Sequence, residues 1–598
     1  MPAVSLRTLA LCGAAALCGC ARQPPAEPRP GPSASDAAPI ASVAPAAATP
    51  APALVDVQVL AINDFHGHLE PPLGENGVVV APAGDPVASL PGATTTDAGV
   101  VLVPAGGVAV LAAHVARLRA ENPNTVVVSA GDLTGASPLV SSLFHDEPTV
   151  LAMNRLGLDF EGVGNHDFDR GIDELRRLQT GGCFQGNCDG GTFRGATFEY
   201  LAANVRDATG KTVFPPYAMR DFAGARVAFI GETLAQTPSV TSARAIEGLT
   251  FADEAETANA LVPELRRQGA AAIVLLLHQG GMQHGRGTYD SCEHLGGDLL
   301  DVLPRLDPAI RVVVSAHTHQ AYDCVVDGRV VTSAGSYGRL ITKIDLTIDP
   351  AAHALVHVKA RNVPVTRDVA PDAATARLLA PYEEKARSIV ERVVGYVERD
   401  LTGSARRAGS VSCETSLGDV IADAMQASTG ADVAFMNPGG IRADLVASHP
   451  GRAPHAVTYG DAFDVQPFQN TLVTMTLRGA EILALLERQF GTRDEPRILQ
   501  VSKGFGYRYH YDRAARTARI SDVRIAGKPL DPARDYRVTV PSFLAGGGDS
   551  FASLARGRDR REGAVDVDAL VAYLGKNGPP AAPLDAPKGA RITGDGCR

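Results

Sequence analysis

Tryptophan is absent from this sequence, and all aromatic residues together make up only 5% of its 598 residues. A phenylalanine in a glycine-rich loop of such a chain is therefore a candidate for ligand recognition rather than ordinary core filling. The sequence also lacks any stretch of about 18 or more apolar residues after its extreme N-terminus, which argues against an integral membrane protein.

Positive charge is in deficit, with 56 Lys and Arg residues against 66 Asp and Glu residues, a formal net charge of −10. Proteins that bind nucleic-acid backbones need a basic surface, so the composition argues against a nucleic-acid polymer as partner. Small phosphorylated substrates stay open, because a local group of metal ions and arginines can override the global sign. The length exceeds what one hydrophobic core supports, so we expect two large domains.

The first 20 residues have the pattern of an export signal, with Arg7 in the positive region and an apolar run at 9–19. The run ends in the letters LCGC, similar to a bacterial lipobox, which predicts a lipid anchor on Cys20. The alternative is an ordinary signal peptide with a chance cysteine. Residues 21–53 are nearly all Ala, Pro and Ser, so we expect a disordered tether there.

Six cysteines lie beyond the export segment, and an even number in an oxidising compartment suggests disulfides. Cys183 and Cys188 flank a glycine-rich turn and are expected to pair locally. Cys292 with Cys324 is the next expected pair, which leaves Cys413 with Cys597 as a third. The alternative is that the cysteines are free, buried thiols, and this alternative applies more to the last two pairs than to the first pair.

From residue 55 the sequence alternates between strand patterns and helical patterns. Runs of β-branched and apolar residues predict strands at 55–62, 125–129, 227–230, 273–277, 312–315 and 330–333. Helical periodicity is found between several of these, as at 108–118 and 254–267. This alternation predicts a layered α/β domain over residues 54–365, with strands buried between helices.

A charged amphipathic helix is predicted at 372–396, as part of a connector at 366–396 between two strand-rich regions. A second, α+β domain is expected over residues 397–592. Its predicted helices lie at 417–426 and 480–489, and its predicted strands at 433–436, 472–477 and 536–540.

Five short polar segments, each directly after a predicted strand or turn, carry most of the candidate chemistry. They are NDFH at 63–66, GD at 131–132, GNHDFD at 164–169, HQ at 278–279 and AHTH at 316–319. Active sites of α/β folds gather at the carboxyl ends of strands, so we expect these segments to meet. Their carboxylates, imidazoles and one amide form a mixed set suited to Mn²⁺, Zn²⁺, Fe or Co²⁺.

These segments, together with GGIR at 439–442, resemble the metallophosphoesterase (calcineurin-like) superfamily and its 5′-nucleotidases of bacterial periplasms and animal cell surfaces. The resemblance extends over about residues 55–590. It implies an N-terminal four-layer β-sandwich flanked by helices, a connector helix and a C-terminal α+β 5′-nucleotidase domain. It also implies two divalent metal ions, whose identity stays open among Mn, Zn, Co and Fe.

The resemblance assigns seven residues to the metal ions. The first ion would be held by Asp64, His66 and His319, the second by Asn165, His278 and His317, and Asp132 would bridge both. Many relatives carry Gln at the position of His319. Imidazole is also a competent ligand there, but the preferred metal is thereby open.

A His–Asp dyad is implied by the same resemblance. His166 would stabilise the phosphoryl oxygens or protonate the leaving group, and Asp169 would orient and charge its ring. The alternative for Asp169 is an N-cap or first-turn acid ahead of the helical pattern at 171–175.

A substrate clamp is implied in the second domain. Phe468 and Phe543 would stack on the two faces of a base, and Asp549 would bind ribose hydroxyls. Contacts to base or phosphate would come from Asn437, Gly440 and Arg442. Several relatives have a substrate-binding Arg where this chain has Cys413, so either Arg406 or Arg407 replaces it or phosphate binding is weaker.

The resemblance therefore implies an exported phosphohydrolase that cleaves nucleoside 5′-monophosphates, with UDP-sugars or other nucleotides as further candidate substrates, acting as a monomer or dimer. The expected location is the periplasm or cell surface, with a lipid anchor at Cys20 in the outer membrane. A 2′,3′-cyclic-nucleotide phosphodiesterase/3′-nucleotidase or a sulfur-ester hydrolase would use the same scaffold. A non-catalytic surface binding lipoprotein would have lost ligands, yet all seven metal positions hold competent side chains.

Overall fold

The computed structural model describes residues 53–82, 84–96, 99–184, 192–283, 287–404, 410–447, 455–490 and 496–597. The predicted export signal and nearly all of the predicted tether lie outside these ranges. So do Cys188, Arg406 and Arg407, and the expectations placed on them. Within the described ranges, no helix has both the length and the apolar character needed to cross a membrane.

The N-terminal domain is built on two six-stranded mixed sheets. The first sheet has the spatial order Ala354–Pro364, Leu340–Asp349, Val55–Ile62, Thr125–Ser129, Phe160–Gly162 and Glu199–Leu201. The second has the order Ala321–Val326, Arg329–Ala334, Ile310–Ser315, Ala270–Leu277, Ala225–Glu232 and Tyr217–Phe222. The central strands of each sheet run parallel, as in the pairing of Gln58 with Thr125.

The two sheets pack face to face, and helices cover their outer faces. Val57 and Val59 pack with Phe229 and Val274 between the sheets. Leu60 and Ile62 alternate with them and pack against the helices Val108–Arg119, Glu147–Leu156 and Ile172–Thr180. On the other side, the helix Glu254–Arg267 covers the second sheet. This arrangement confirms the four-layer α/β architecture.

Because both faces of each sheet are buried, the central strands have continuous apolar sequences, and these sequences predicted the strands. All eight residues of Ala270–Leu277 are buried, and they read as one continuous apolar run. The hairpin of Leu340–Asp349 with Ala354–Pro364 was not predicted. Its second strand is largely exposed, so its residues lack a continuous apolar pattern.

The connector is shorter as a helix than the sequence predicted. The helix Ala373–Val390 begins at an Asp372 cap, whose side chain accepts from the Thr375 backbone N–H over 2.7 Å. Residues Val393–Tyr396, predicted as helical, instead form a strand that pairs with Ala456–Thr458. We propose that the boundary between the two domains lies in this connector.

The C-terminal domain contains a five-stranded sheet and a four-stranded sheet. The first has the order Gln500–Val501, Val433–Met436, Asp535–Pro541, Thr471–Arg478 and Arg558–Val565. The second has the order Lys528–Pro529, Thr517–Ile525, Phe505–Asp512 and Ile592–Thr593. The principal helices are Ser416–Thr429, Tyr459–Val465, Gly479–Arg488 and Asp566–Asn577.

Two of the expected disulfides are formed. Cys292 is bonded to Cys324, and Cys413 is bonded to Cys597 across a sequence separation of 184 residues. Cys413, near the beginning of the C-terminal domain, is therefore covalently tied to Cys597 and is not a free thiol.

Candidate active site

The polar segments that follow the parallel strands of both sheets meet at one edge of the N-terminal domain. The strands Val55–Ile62, Thr125–Ser129 and Phe160–Gly162 end there in the first sheet, and Ala270–Leu277 and Ile310–Ser315 in the second. The side chains that follow these ends include the seven assigned to metal ions: Asp64, His66, Asp132, Asn165, His278, His317 and His319.

Six of these side chains form two groups with metal-binding geometry. Asp64, His66 and His319 offer ligand atoms within 4.8 Å of one another, and so do Asp132, His278 and His317. Asp132 lies between the groups, with Oδ2 3.0 Å from His278 Nε2 and 3.6 Å from His66 Nε2. The arrangement matches the bridging position expected for Asp132.

The amide expected to complete the second group is in place. Asn165 Oδ1 lies 3.2 Å from His278 Nε2. Its Nδ2 and the Oδ2 of Asp132 are buried and have no hydrogen-bond partner. Buried polar atoms of this kind ordinarily find a partner, and a cation between the groups would satisfy the orphaned carboxylate oxygen.

The histidines are oriented by the backbone so that lone pairs face the site. His66 Nδ1 donates to the Gly135 carbonyl and His278 Nδ1 to the Ala130 carbonyl, each over 2.9 Å. A carbonyl only accepts, so Nδ1 of each ring carries a proton, and in a neutral ring Nε2 then carries the lone pair. Burial also lowers the pKa of His66 and of His319 well below the usual range, which keeps both rings neutral.

The backbone at these positions is held in an unfavourable region. Asp64, His66, Asp132, His317 and His319 all have positive φ, between 49° and 72°. Such conformations cost free energy in residues other than glycine and cluster at functional sites. Together with the mixed N/O ligand set, these observations show that the residues fit two divalent metal ions.

Asp167 is a buried carboxylate that the sequence did not single out, and it joins two ligand loops. It accepts from the backbone N–H groups of Asp132, Thr134 and Gly164 over 2.8–3.0 Å. It also accepts from the Thr134 hydroxyl over 2.9 Å. One side chain thus fixes the loop that carries Asp132 against the loop that carries Asn165.

His166 and Asp169 form the expected pair at the wall of the adjoining cavity. His166 Nδ1 lies 2.9 Å from Asp169 Oδ2, and the His166 backbone N–H donates to Asp132 Oδ1 over 2.8 Å. Burial disfavours the charged ring, but the carboxylates of Asp169 and Asp132 together outweigh it and raise the pKa of His166. The alternative role for Asp169 is not seen, because Gly171 is the N-cap of the helix Ile172–Thr180.

A cavity of about 430 Å³ extends from the metal groups to the C-terminal domain. All six residues of the expected clamp line it: Asn437, Gly440, Arg442, Phe468, Phe543 and Asp549. The ring of Phe468 lies 5.5 Å from that of His166, at 24° between planes. Arg442 Nη2 lies 3.5 Å from His66 Nε2, so its guanidinium reaches the first metal group from the other domain.

Two arginines in this cavity were missed by the sequence reasoning. Arg170 and Arg497 both line it, and Arg497 forms an ion pair with Asp549. Arg170 directly follows the dyad in the sequence, which was a usable signal. Arg497 precedes a strand in a segment without any recognised motif, so nothing local indicated its place.

Residues 57–321 match the family model described as "Calcineurin-like phosphoesterase". Residues 393–556 match the one described as "5′-nucleotidase, C-terminal domain". The two matches coincide with the two halves of the chain that contribute to the cavity.

Relatives with these two domains have several names. The chain is 31% identical over 87% of its length to "Endonuclease YhcR" of Bacillus subtilis, but spans only 40% of that protein. It is 26% identical over 79% of its length to the "5′-nucleotidase" of Vibrio cholerae, spanning 86% of that protein. A "5′-nucleotidase precursor" from Thermus thermophilus matches at TM-score 0.70 and 27% identity, over 90% of this chain and 99% of that one.

Proposed function

We propose that this chain, which belongs to the calcineurin-like phosphoesterases and within them to the 5′-nucleotidase family, hydrolyses nucleoside 5′-monophosphates to nucleoside and phosphate. Membership of this family makes the chain a metal-dependent phosphoester hydrolase with two divalent metal ions. One observation in particular supports nucleoside 5′-monophosphates as the substrates. A single cavity is lined both by the His166–Asp169 pair and by two loop phenylalanines, Phe468 and Phe543.

The phosphate of the substrate is assigned to the metal end of this cavity. Two divalent cations bound there would clamp the phosphoryl group and lower the pKa of an attacking water molecule. Arg442, 3.5 Å from His66, is placed to hold a phosphoryl oxygen. His166, oriented by Asp169, is placed to donate to a phosphoryl oxygen or to protonate the leaving 5′ oxygen.

The nucleoside is assigned to the C-terminal end. Phe468 and Phe543 offer two aromatic faces for a base, and stacking of this kind tolerates different bases. Asp549 is assigned to the ribose hydroxyls. Gly440 leaves room for the neighbouring Asn437 side chain, since a Cβ at position 440 would lie 3.1 Å from Asn437 Oδ1.

The first test is phosphate release by the full chain after metal removal with a chelator. AMP, UDP-glucose, a 2′,3′-cyclic nucleotide and an aryl phosphate are each assayed with Mn²⁺, Zn²⁺, Co²⁺ or Mg²⁺ restored. We expect metal-dependent release from AMP, lost in Asp132→Ala and reduced about 10²- to 10⁴-fold in His166→Ala.

His357→Ala serves as the matched control, because this histidine is exposed on the edge strand Ala354–Pro364 and should retain full activity. Activity confined to the cyclic or aryl substrate would retain the metal site and overturn the nucleoside assignment. Metal binding without hydrolysis of any substrate would favour a binding protein instead.

We also propose that the chain is exported and anchored through Cys20. Support comes from the lipobox-like LCGC pattern and from two disulfides, which persist in oxidising compartments. Mass spectrometry of the mature N-terminus in a bacterial host should find diacylated Cys20 in the membrane fraction. A soluble protein cleaved at another position would show an ordinary signal peptide.

A further inference from the structure

A second cavity, of about 290 Å³, adjoins the nucleotide cavity. The two cavities share four lining residues: His317, Gly439, Arg497 and Asp549. The second cavity continues between the domains along Gln236, Gln279 and Thr318. Arg497 and Asp549 therefore stand at the junction, where one cavity opens into the other.

Asp549 is held at this junction by two donors. Arg497 Nη1 donates to Asp549 Oδ1, and Asn437 Nδ2 donates to Asp549 Oδ2 over 2.8 Å. The Asp549 side chain is 8% exposed and that of Arg497 25%, so both are largely removed from solvent. The backbone of Asp549 is in the left-handed region, with φ of 54°, as found where structure is strained for function.

The backbone of Arg497 is anchored independently of Asp549. Its N–H donates to the Gln489 carbonyl over 2.9 Å, at the end of the helix Gly479–Arg488. Gln489 is itself buried, and its Oε1 accepts from the Leu499 backbone N–H over 2.6 Å. The backbone that carries the guanidinium is thereby fixed to the end of this helix.

We propose that the enzyme also accepts nucleoside 5′-phosphates that carry a second phosphate on the 2′ or 3′ oxygen of the ribose, with Arg497 binding that phosphate. This proposal rests on the proposed function, since it uses Asp549 as the ribose site. A ribose oxygen and the Arg497 guanidinium that contact one carboxylate lie within about 6 Å of each other. A phosphate on the neighbouring ribose oxygen is thus within reach of the Arg497 guanidinium.

The charges at the junction favour a phosphate near Arg497 rather than deeper in the cavity. A guanidinium holds a carboxylate and a phosphate together through its planar fork of donors. Asp298, which also lines the second cavity, repels an anion placed beside it. The ribose hydroxyl that stays free of phosphate still donates to Asp549.

The reaction is the same hydrolysis on a larger substrate. The oxygen of water bonds to the 5′ phosphorus, the bond from phosphorus to the 5′ oxygen breaks, and its electron pair goes to that oxygen. A proton from the water ends on the 5′ hydroxyl. The second ester stays intact, so the products are inorganic phosphate and a nucleoside 2′- or 3′-monophosphate.

The test compares AMP with adenosine 3′,5′-bisphosphate and adenosine 2′,5′-bisphosphate as substrates of the full chain loaded with Mn²⁺. We expect at least one bisphosphate to have a lower KM than AMP and to yield adenosine 2′- or 3′-monophosphate. Arg497→Gln should raise that KM about tenfold or more relative to the change for AMP, with Arg497→Lys in between. The exposed Arg524→Gln serves as the control without effect.

A binding measurement separates this proposal from the proposed function. Calorimetry on the chelator-stripped protein should find adenosine 3′- or 2′-monophosphate bound about tenfold more tightly than adenosine, and Arg497→Gln should abolish the difference. Equal affinity for the three ligands, or an equal rise of KM for AMP and bisphosphate in Arg497→Gln, would overturn the proposal while AMP hydrolysis stands. Failure to hydrolyse AMP would instead overturn the proposed function.

Discussion

At the residue scale, Asp323 is a partly buried acid on the strand Ala321–Val326, close to a second acid. Burial first, and then the negative charge of Asp290, raise the pKa of Asp323 to about 6. The folded state therefore binds a proton at this position more tightly than the unfolded chain does. The stability gained by protonation is complete below about pH 4 and is lost as the pH rises through 6.

Asp323→Asn should remove this loss, because the amide is neutral at every pH in the window. We expect the variant to be more stable than the original chain by about 1–2 kcal/mol at pH 8 and by about half as much at pH 5. Urea denaturation at the two pH values measures the difference. Asp327→Asn, an exposed change in the next turn, should show no such gain. An equal effect of Asp323→Asn at both pH values would contradict the prediction.

The residue scale is also where sequence reasoning was strongest for ligands and weakest for supporting groups. Asp64, His66 and the other ligands stand in short motifs, so their chemistry was legible before the fold was known. The role of Arg497 could not be predicted in this way, because its contact with Asp549 joins positions 52 residues apart. A contact of this kind leaves no local pattern in the chain.

At the element scale, the site depends on how closely neighbouring strand ends approach. The Gly164 backbone, just after the strand Phe160–Gly162, passes directly beside the loop of Asp132. A methyl group at Gly164 would overlap the Asp132 side chain and lie 2.7 Å from His278 Cε1. Only glycine leaves room there for ligands from three strands.

Gly164→Ala should therefore disrupt metal binding. We expect hydrolysis of AMP to fall about 100-fold or more, since small displacements of reacting groups are costly. Calorimetric titration with Mn²⁺ should show weakened binding in parallel. Gly563→Ala is the matched control, because a Cβ there meets its nearest atom, Leu472 O, at 3.4 Å. Normal Mn²⁺ affinity in Gly164→Ala would show that the loops can separate without consequence.

Elements with a clear periodicity were predicted well, and those decided by distant pairing were not. The strand Val55–Ile62 and the helix Glu254–Arg267 have the predicted bounds. Residues Val393–Tyr396 continue a helical pattern but form a strand, because Ala456–Thr458 pairs with them across about 60 residues. Hydrogen bonds to a distant strand outweigh a weak local preference.

At the scale of the whole molecule, two domains enclose one cavity. Asn76 of the N-terminal domain donates to the Arg442 carbonyl over 3.2 Å, beside the contact of Arg442 with His66. The C-terminal side of this cavity is in turn framed by a domain whose two ends are joined by Cys413–Cys597. We therefore expect the Cys413–Cys597 disulfide to contribute to the stability of the protein.

The two disulfides close loops of very different length, 184 and 32 residues. In the chain-entropy model, a longer loop restricts the unfolded chain more, by about 1.5 kcal/mol for this pair of lengths. Cys413→Ala with Cys597→Ala should therefore destabilise the protein more than Cys292→Ala with Cys324→Ala. Chemical denaturation of both double variants under oxidising conditions measures the difference. An equal or larger loss in the Cys292–Cys324 variant would contradict the loop-length argument.

The sequence by itself determined the alternation of strands and helices in the N-terminal domain, the ligand types and their place after strands, and the phenylalanine loops. These features are local, since burial periodicity and short motifs are written in neighbouring residues. Only the tertiary structure decided that Asp167 joins two loops and that Arg497 stands where two cavities meet. Each of these depends on residues far apart in the chain, whose approach is fixed by packing and not by any local preference.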